Sequence, residues 1–162
     1  MAERCARFEK VSDSIFKEKL DELGLRAQIS VPLPKRATSG SAGYDLYMPF
    51  DADIRAGESI TVPTGIRAKI SDGWFLMIAP RSGLGTKFRF QLDNTVGIID
   101  SDYYYSSNEG HIIIKLTNCS TEEKTVSLKA GTAFAQGIFI PYGITEDDCA
   151  DGQRTGGFGS TG

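Results

Sequence analysis

Between residues 8 and 24 the apolar positions Val11, Ile15, Phe16, Leu20 and Leu23 recur at three- and four-residue steps. That spacing places them on one face of a helix. Ser12 and Asp13 offer side-chain oxygens to cap its start, and Gly24 offers a stop. Such a stripe serves core packing or partner binding, and packing is the commoner use. From Gln28 onward the period shortens to two. Ile29 and Val31 alternate, as do Tyr44, Leu46 and Met48, then Ile60 and Val62, then Ile66, Ala68 and Ile70. Further strands are predicted at 74–78, 87–92, 95–99, 111–117, 124–128 and 133–140. Pro34, Gly57, Gly65, Gly73, Gly110 and Gly131 mark the turns between them. Many short strands at about ten-residue spacing predict an all-β sandwich or jelly roll. The chain thus divides into a helical extension (1–27), a β-domain (28–145) and a polar, glycine-rich arm (146–162).

Composition narrows the function without choosing it. A length of 162 residues suits one domain with a real core. No run of about 18 apolar residues exists, which predicts no membrane span. Charges crowd the N-terminal MAERCARFEK where an export signal needs an apolar stretch, so a cytoplasmic or nuclear location is expected. The three cysteines lack a CxxC spacing, and the one histidine, His111, has no metal-ligand partner near it in sequence. His111 reads as a loop or strand-end residue rather than a catalytic base. A net charge of −3 argues against stable nucleic-acid binding, which uses a basic face. A small anionic ligand needs only a few local cations.

Five segments carry residues that a plain β-barrel does not require. The last nine residues, RTGGFGSTG, bring together Arg154, Phe158, Gly159, Ser160 and Thr161. Glycine amides, hydroxyls and an arginine suit a phosphate, and the one ring suits stacking on a planar base; a polar tail with no ligand has the same composition. AGYDL (42–46) puts Asp45 at an apolar strand start. PRSGLG (80–85) opens a glycine turn with Arg81, Ser82 and Gly83. NTVGIIDSDY (94–103) runs a buried-looking strand into Asp100 and Asp102. GTAFAQGIFIP (131–141) sets Gln136 in an apolar strand. Singly, each segment is also explained by a satisfied turn or loop. In an extended strand Asp100 and Asp102 would face the same side, where two like charges need water, a cation or a metal.

In this order, AGYDL, PRSGLG, N-x-x-G-x-I-D-x-D-Y, GxxxAQ and GGFGSTG resemble the homotrimeric dUTPase family over about residues 28–162. The resemblance implies a jelly-roll or distorted-barrel subunit of a homotrimer, with active sites shared between subunits. It implies Mg²⁺-dependent hydrolysis of dUTP to dUMP and pyrophosphate. Asp100 matches the carboxylate that activates the attacking water. Asn94, Gly97 and Ile99 match the uracil-binding hairpin, Tyr103 the ring beneath the deoxyribose, and Phe158 the ring that stacks on uracil. Arg81, Ser82, Gly83, Gln136, Arg154, Gly159, Ser160 and Thr161 match phosphate contacts, with Asp45 and Asp102 in support. The metal is expected on substrate phosphates and water, with no direct protein ligand. A dCTP-directed relative of similar fold and a nucleotide-responsive binding protein are the competing readings.

Two departures stand out. The family follows its motif tyrosine with x-Gly, whereas here Gly110 comes about five residues late by that alignment, after Tyr104, Tyr105, Ser106, Ser107, Asn108 and Glu109. A longer hairpin tip is expected. Arg154 also stands one position nearer Phe158 than the family's arm arginine, whose place is taken by Gln153.

Overall fold

The computed structural model describes residues 3–152 and Gly156. Of the predicted site, Arg154, Phe158, Gly159, Ser160 and Thr161 lie outside the described residues.

Twelve short strands and two α-helices make up the described chain. The largest sheet has five strands in the order β2-β3-β12-β7-β9: Lys35–Arg36, Tyr44–Tyr47, Ala133–Pro141, Trp74–Pro80 and Gly97–Ile99. A three-stranded sheet joins β5 (Ser59–Pro63), β10 (Ile113–Asn118) and β8 (Phe90–Leu92). Two strand pairs complete the fold, β1 (Ala6–Lys10) with β6 (Ile66–Ile70) and β4 (Ala52–Ile54) with β11 (Val126–Leu128). All pairings are antiparallel and the sheets stay open, giving a jelly-roll-like β fold. Between the layers Leu46, Leu76, Phe90, Leu116 and Phe134 are buried, each the inward member of an alternating strand.

The first helix is shorter than its periodicity suggested. Residues 6–10 are a strand in register with β6, pairing Phe8 with Ala68, and α1 is confined to Asp13–Glu22. An unpaired edge on β6 decides this: pairing over five residues satisfies alternate backbone groups of β6 that a longer helix would leave without a strand partner. Ser12 caps α1 as expected, its hydroxyl accepting the Ile15 N–H at 3.4 Å. Gly24, at φ +67°, ends it, with Leu25 N–H returning to Leu20 O at 2.8 Å.

A second helix, α2 (Ser82–Phe88), replaces the expected glycine turn and the first part of the strand expected at 87–92. Leu84 and Phe88, one helical turn apart, both pack on the core. That burial outweighs the low helix propensity of Gly83 and Gly85. Ile29 and Val31 belong to no strand, and Val31 is buried from a loop. Among the described residues, no helix is long and apolar enough to cross a membrane.

Candidate active site

The stretch from Asn94 to Tyr103 folds as a turn, a short strand and a 3-10 turn. Thr95 N–H donates to Leu92 O at 3.0 Å and Val96 N–H to Asn94 O at 2.8 Å, reversing the chain between β8 and β9. Thr95 takes φ +70° to do so. β9 then pairs with β7, Gly97 opposite Ile78 and Ile99 opposite Leu76. Beyond Ile99 the chain leaves the sheet. Asp100 becomes the N-cap of a 3-10 turn, Ser101–Tyr105, its carbonyl accepting the Tyr103 N–H at 3.2 Å. This corrects the expectation that Asp100 and Asp102 share one side of a strand: Asp102 lies inside the 3-10 turn, and both acids are exposed.

The stretch walls a cleft of about 460 Å³ lined by Asn94, Gly97, Ile99 and Tyr103. Tyr103 is nearly inaccessible, at 2% exposure, and its hydroxyl donates to His111 O at 2.7 Å. Among the further lining residues that escaped the sequence reading are Lys19 of α1 and Asn108 of the late-glycine loop. Nothing local to Lys19 marks it, since only packing brings α1 to the cleft. Asn108 had a weak signal in its Ser-Ser-Asn-Glu-Gly context, a turn string with side-chain acceptors. A larger depression of about 770 Å³, lined by Arg4, Arg36, Tyr44 and Trp74 among others, contains none of the predicted residues.

The second group gathers at the far end of β7. Register places Gln136 of β12 opposite Asp45 on one side and Ala79 on the other. Arg81 follows β7 and caps α2; its N–H donates to Phe134 O at 3.1 Å, at the register shift in β12 between Ala133 and Ala135. Such an irregularity re-aims the chain beside it. The Arg81 guanidinium pairs with the Asp45 carboxylate. Gln136 Nε2 donates to Pro80 O at 3.4 Å. A Cβ at position 43 would fall 2.3 Å from Gln136 Oε1, so Gly43 is what lets the amide lie there. Ser82 and Gly83 stand exposed at the start of α2. Asp45, Arg81, Ser82, Gly83 and Gln136 are therefore one cluster, and Asn94, Gly97, Ile99, Asp100 and Tyr103 are another.

His111 sits just before β10, 1% exposed, and holds the structure around the cleft. Its Nε2 accepts the Gly65 N–H at 2.9 Å, and Phe16 packs edge-on against its ring. Burial, aided by the nearby charge of Lys19, pushes its pKa down to about 4 against the weaker pull of Glu109. The imidazole is thus neutral at pH 7, as an Nε2 acceptor must be. This matches the expected strand-end role.

A model of the dUTPase family matches residues 30–162. The chain belongs to the dUTPase family. The deoxyuridine 5'-triphosphate nucleotidohydrolase of Lactococcus lactis is 38% identical over 135 residues, covering 82% of this chain and 89% of that protein. The enzyme of the same name from Psychromonas ingrahamii is 41% identical over 139 residues, 81% of this chain and 87% of its own. Among solved structures, the Streptococcus mutans dUTPase superposes with a TM-score of 0.65 at 35% identity, covering 86% of this chain and 98% of that one. The dUTPase match begins after β1 and α1, which lie outside it.

Proposed function

We propose that this protein hydrolyses dUTP to dUMP and pyrophosphate in a Mg²⁺-dependent reaction, as a homotrimer. The observation that carries this reading is the dual nature of one short stretch. Asn94 to Tyr103 lines a cleft of nucleoside size and also presents an exposed carboxylate, Asp100, directly after the lining residue Ile99. The names of the relatives agree with it.

Uracil enters the cleft between Asn94, Gly97 and Ile99, and the Tyr103 ring lies beneath the deoxyribose. A 2′-hydroxyl would meet that ring, so ribonucleotides are rejected by shape. Asp100 orients a water toward the α-phosphorus and takes its proton. The new P–O bond forms as the bond to the bridging oxygen of pyrophosphate breaks. A positioned base of this kind contributes on the order of 10²–10⁴ in rate. The remainder comes from placement and charge neutralisation of the triphosphate.

Arg81, Ser82, Gly83 and Gln136 bind the phosphates from a neighbouring subunit. Arg154, Gly159, Ser160 and Thr161 of the 146–162 arm complete the phosphate site, and Phe158 covers the uracil. Asp45 and Asp102 support the site through hydrogen bonds.

Among the described residues no three His, Cys, Asp or Glu side chains group to hold a metal. A Mg²⁺ would be carried on triphosphate oxygens and water, the ion's usual preference. When bound, the ion neutralises phosphate charge. The activity would keep uracil out of DNA and supply dUMP for thymidylate synthesis.

The test is pyrophosphate release from dUTP, dCTP, dTTP and UTP, each with Mg²⁺. Selective turnover of dUTP is expected. Equal turnover of UTP removes the sugar filter, and preference for dCTP replaces the substrate.

A further inference from the structure

Two parts of this chain lie outside the shared motifs: β1 with α1, and the loop of residues 104–109. In the structure they hold each other. Glu109 turns its carboxylate onto the N-cap of α1, where Ser12 N–H donates to Oε2 at 2.7 Å and Ser12 Oγ to Oε1 at 2.8 Å. A carboxylate there also faces the positive end of the helix dipole. At the other end of the loop, Tyr104 Oη donates to Glu9 of β1 at 2.7 Å. The Arg67 guanidinium lies 4.4 Å from the centre of the Tyr104 ring and pairs with the same Glu9 at 3.0 Å. The loop is therefore pinned at both ends to a segment more than 90 residues away in sequence.

Asn108 stands between the pins. Its Nδ2 donates to Tyr103 Oη at 2.9 Å, while its Oδ1 accepts the Gly110 N–H at 3.1 Å and faces Ser106 Oγ at 2.8 Å. The Tyr103 hydroxyl is thus gripped by Asn108 from one side and by the His111 carbonyl from the other. Gly110 permits this geometry. It sits at φ +71°, and a Cβ there would lie 2.7 Å from Tyr104 Cα and 2.8 Å from Tyr103 O. Asn108 and Lys19 line the same cleft as Tyr103, so both the loop and α1 reach the cleft wall.

We propose that Asn108, registered by the Glu109–Ser12 clamp, is a positioning residue for sugar selection, which makes the N-terminal extension a working part of the nucleotide site. The proposal rests on the reading of Tyr103 as the sugar filter. A filter that works by contact is sensitive to displacements well under 1 Å, because the repulsion it uses is short-ranged. Loss of the clamp frees the loop from α1 and leaves Tyr104 as its tie to the N-terminal extension. Asn108 then loses register, the Tyr103 hydroxyl keeps one partner of the pair, and the ring yields space beneath the sugar. Asp100, on the other side of the 3-10 turn, keeps its task. The expected signature is a gain of activity on UTP, which general loosening of a fold does not produce.

The experiment compares kcat and KM for dUTP and UTP, with Mg²⁺, in the parent protein and in Glu109→Ala, Asn108→Ala and Glu109→Gln, alongside each Tm. In the two alanine variants the dUTP-to-UTP ratio of kcat/KM should fall about tenfold, the size of one lost hydrogen bond to a charged or buried group. UTP turnover should rise and the dUTP KM should increase, with dUTP kcat dropping by less than about threefold. Glu109→Gln keeps an oxygen for one Ser12 donor and should recover much of the ratio. A parental ratio in both alanine variants, or equal losses on both nucleotides, overturns the proposal. Should either alanine variant fail to fold, Ser12→Ala carries the test: it removes one donor outside the cleft, and the ratio must still fall by about twofold. A parent protein that leaves dUTP intact defeats the activity reading and this inference together; a selective parent with insensitive variants defeats this inference alone.

Discussion

The guanidinium of Arg81, at the head of α2, is held by the carboxylate of Asp45 on β3, with β12 lying between their strands. The acid is the better buried partner, its side chain 14% exposed against 41% for the arginine. Asp45 therefore acts as the fixed post, and Arg81 as the group aimed from it. A planar guanidinium can give one edge to the carboxylate and keep its other donors for phosphate oxygens.

This pairing predicts that Arg81→Lys is not conservative. A lysine keeps the charge but loses the fork, and Asp45→Asn loses the post. Each change should lower kcat/KM for dUTP by about 10- to 100-fold, the range for one or two charge-assisted hydrogen bonds. Steady-state kinetics checks this; parental values in both variants would show that the pair does not orient a phosphate contact.

Asp100→Asn should separate binding from chemistry. The amide preserves shape at the N-cap of the 3-10 turn but is a far poorer proton acceptor. Nucleotide affinity by calorimetry should stay within a few-fold, while turnover falls on the order of 10²–10⁴. An unreduced rate would assign water activation to another group.

Removing residues 154–162 should leave the fold in place and sharply lower turnover, since the proposed uracil cover and several phosphate contacts go with them. Paired Tm and rate measurements test this. An unchanged rate in the shortened protein ends the closing role proposed for the arm.

His111 predicts how stability follows pH. Its folded pKa is about 4, below the ordinary 6.5, so the unfolded chain binds the extra proton first as pH falls. The contribution of its neutral form is complete above pH 6.5 and is lost progressively toward pH 4. The full effect is roughly 3 kcal/mol by the usual conversion of about 1.4 kcal/mol per pKa unit. Glu9, held at about 2 chiefly by its hydrogen bond from Arg7, keeps its contribution until far lower pH. Between pH 6.5 and 5 the histidine should therefore dominate. His111→Gln keeps a side-chain acceptor for the Gly65 N–H without a titrating group, and should flatten stability over that range. Denaturant unfolding at pH 7.0, 6.0 and 5.0 measures it; an equal slope in both proteins would remove His111 as the cause.

Local chemistry carried much of this protein into view from its residues alone. Ser12 and Gly24 delimit α1 because capping depends on hydrogen bonds within a few residues. Alternation located most strands because one face of each is buried. The ordered motifs brought Asn94, Gly97, Ile99 and Tyr103 to one cleft, and Asp45, Arg81 and Gln136 together at one end of β7. Long-range packing decided the rest. Residues 6–10 became a strand because β6 offered an open edge, and 82–88 became a helix because Leu84 and Phe88 had a core to cover. The burial of His111, the arrival of Lys19 at the cleft and the clasp of Glu109 on Ser12 link segments between 46 and 97 residues apart or depend on such links. Nothing in short-range periodicity encodes those meetings, because their free energy exists only once the layers that bring the partners together have formed.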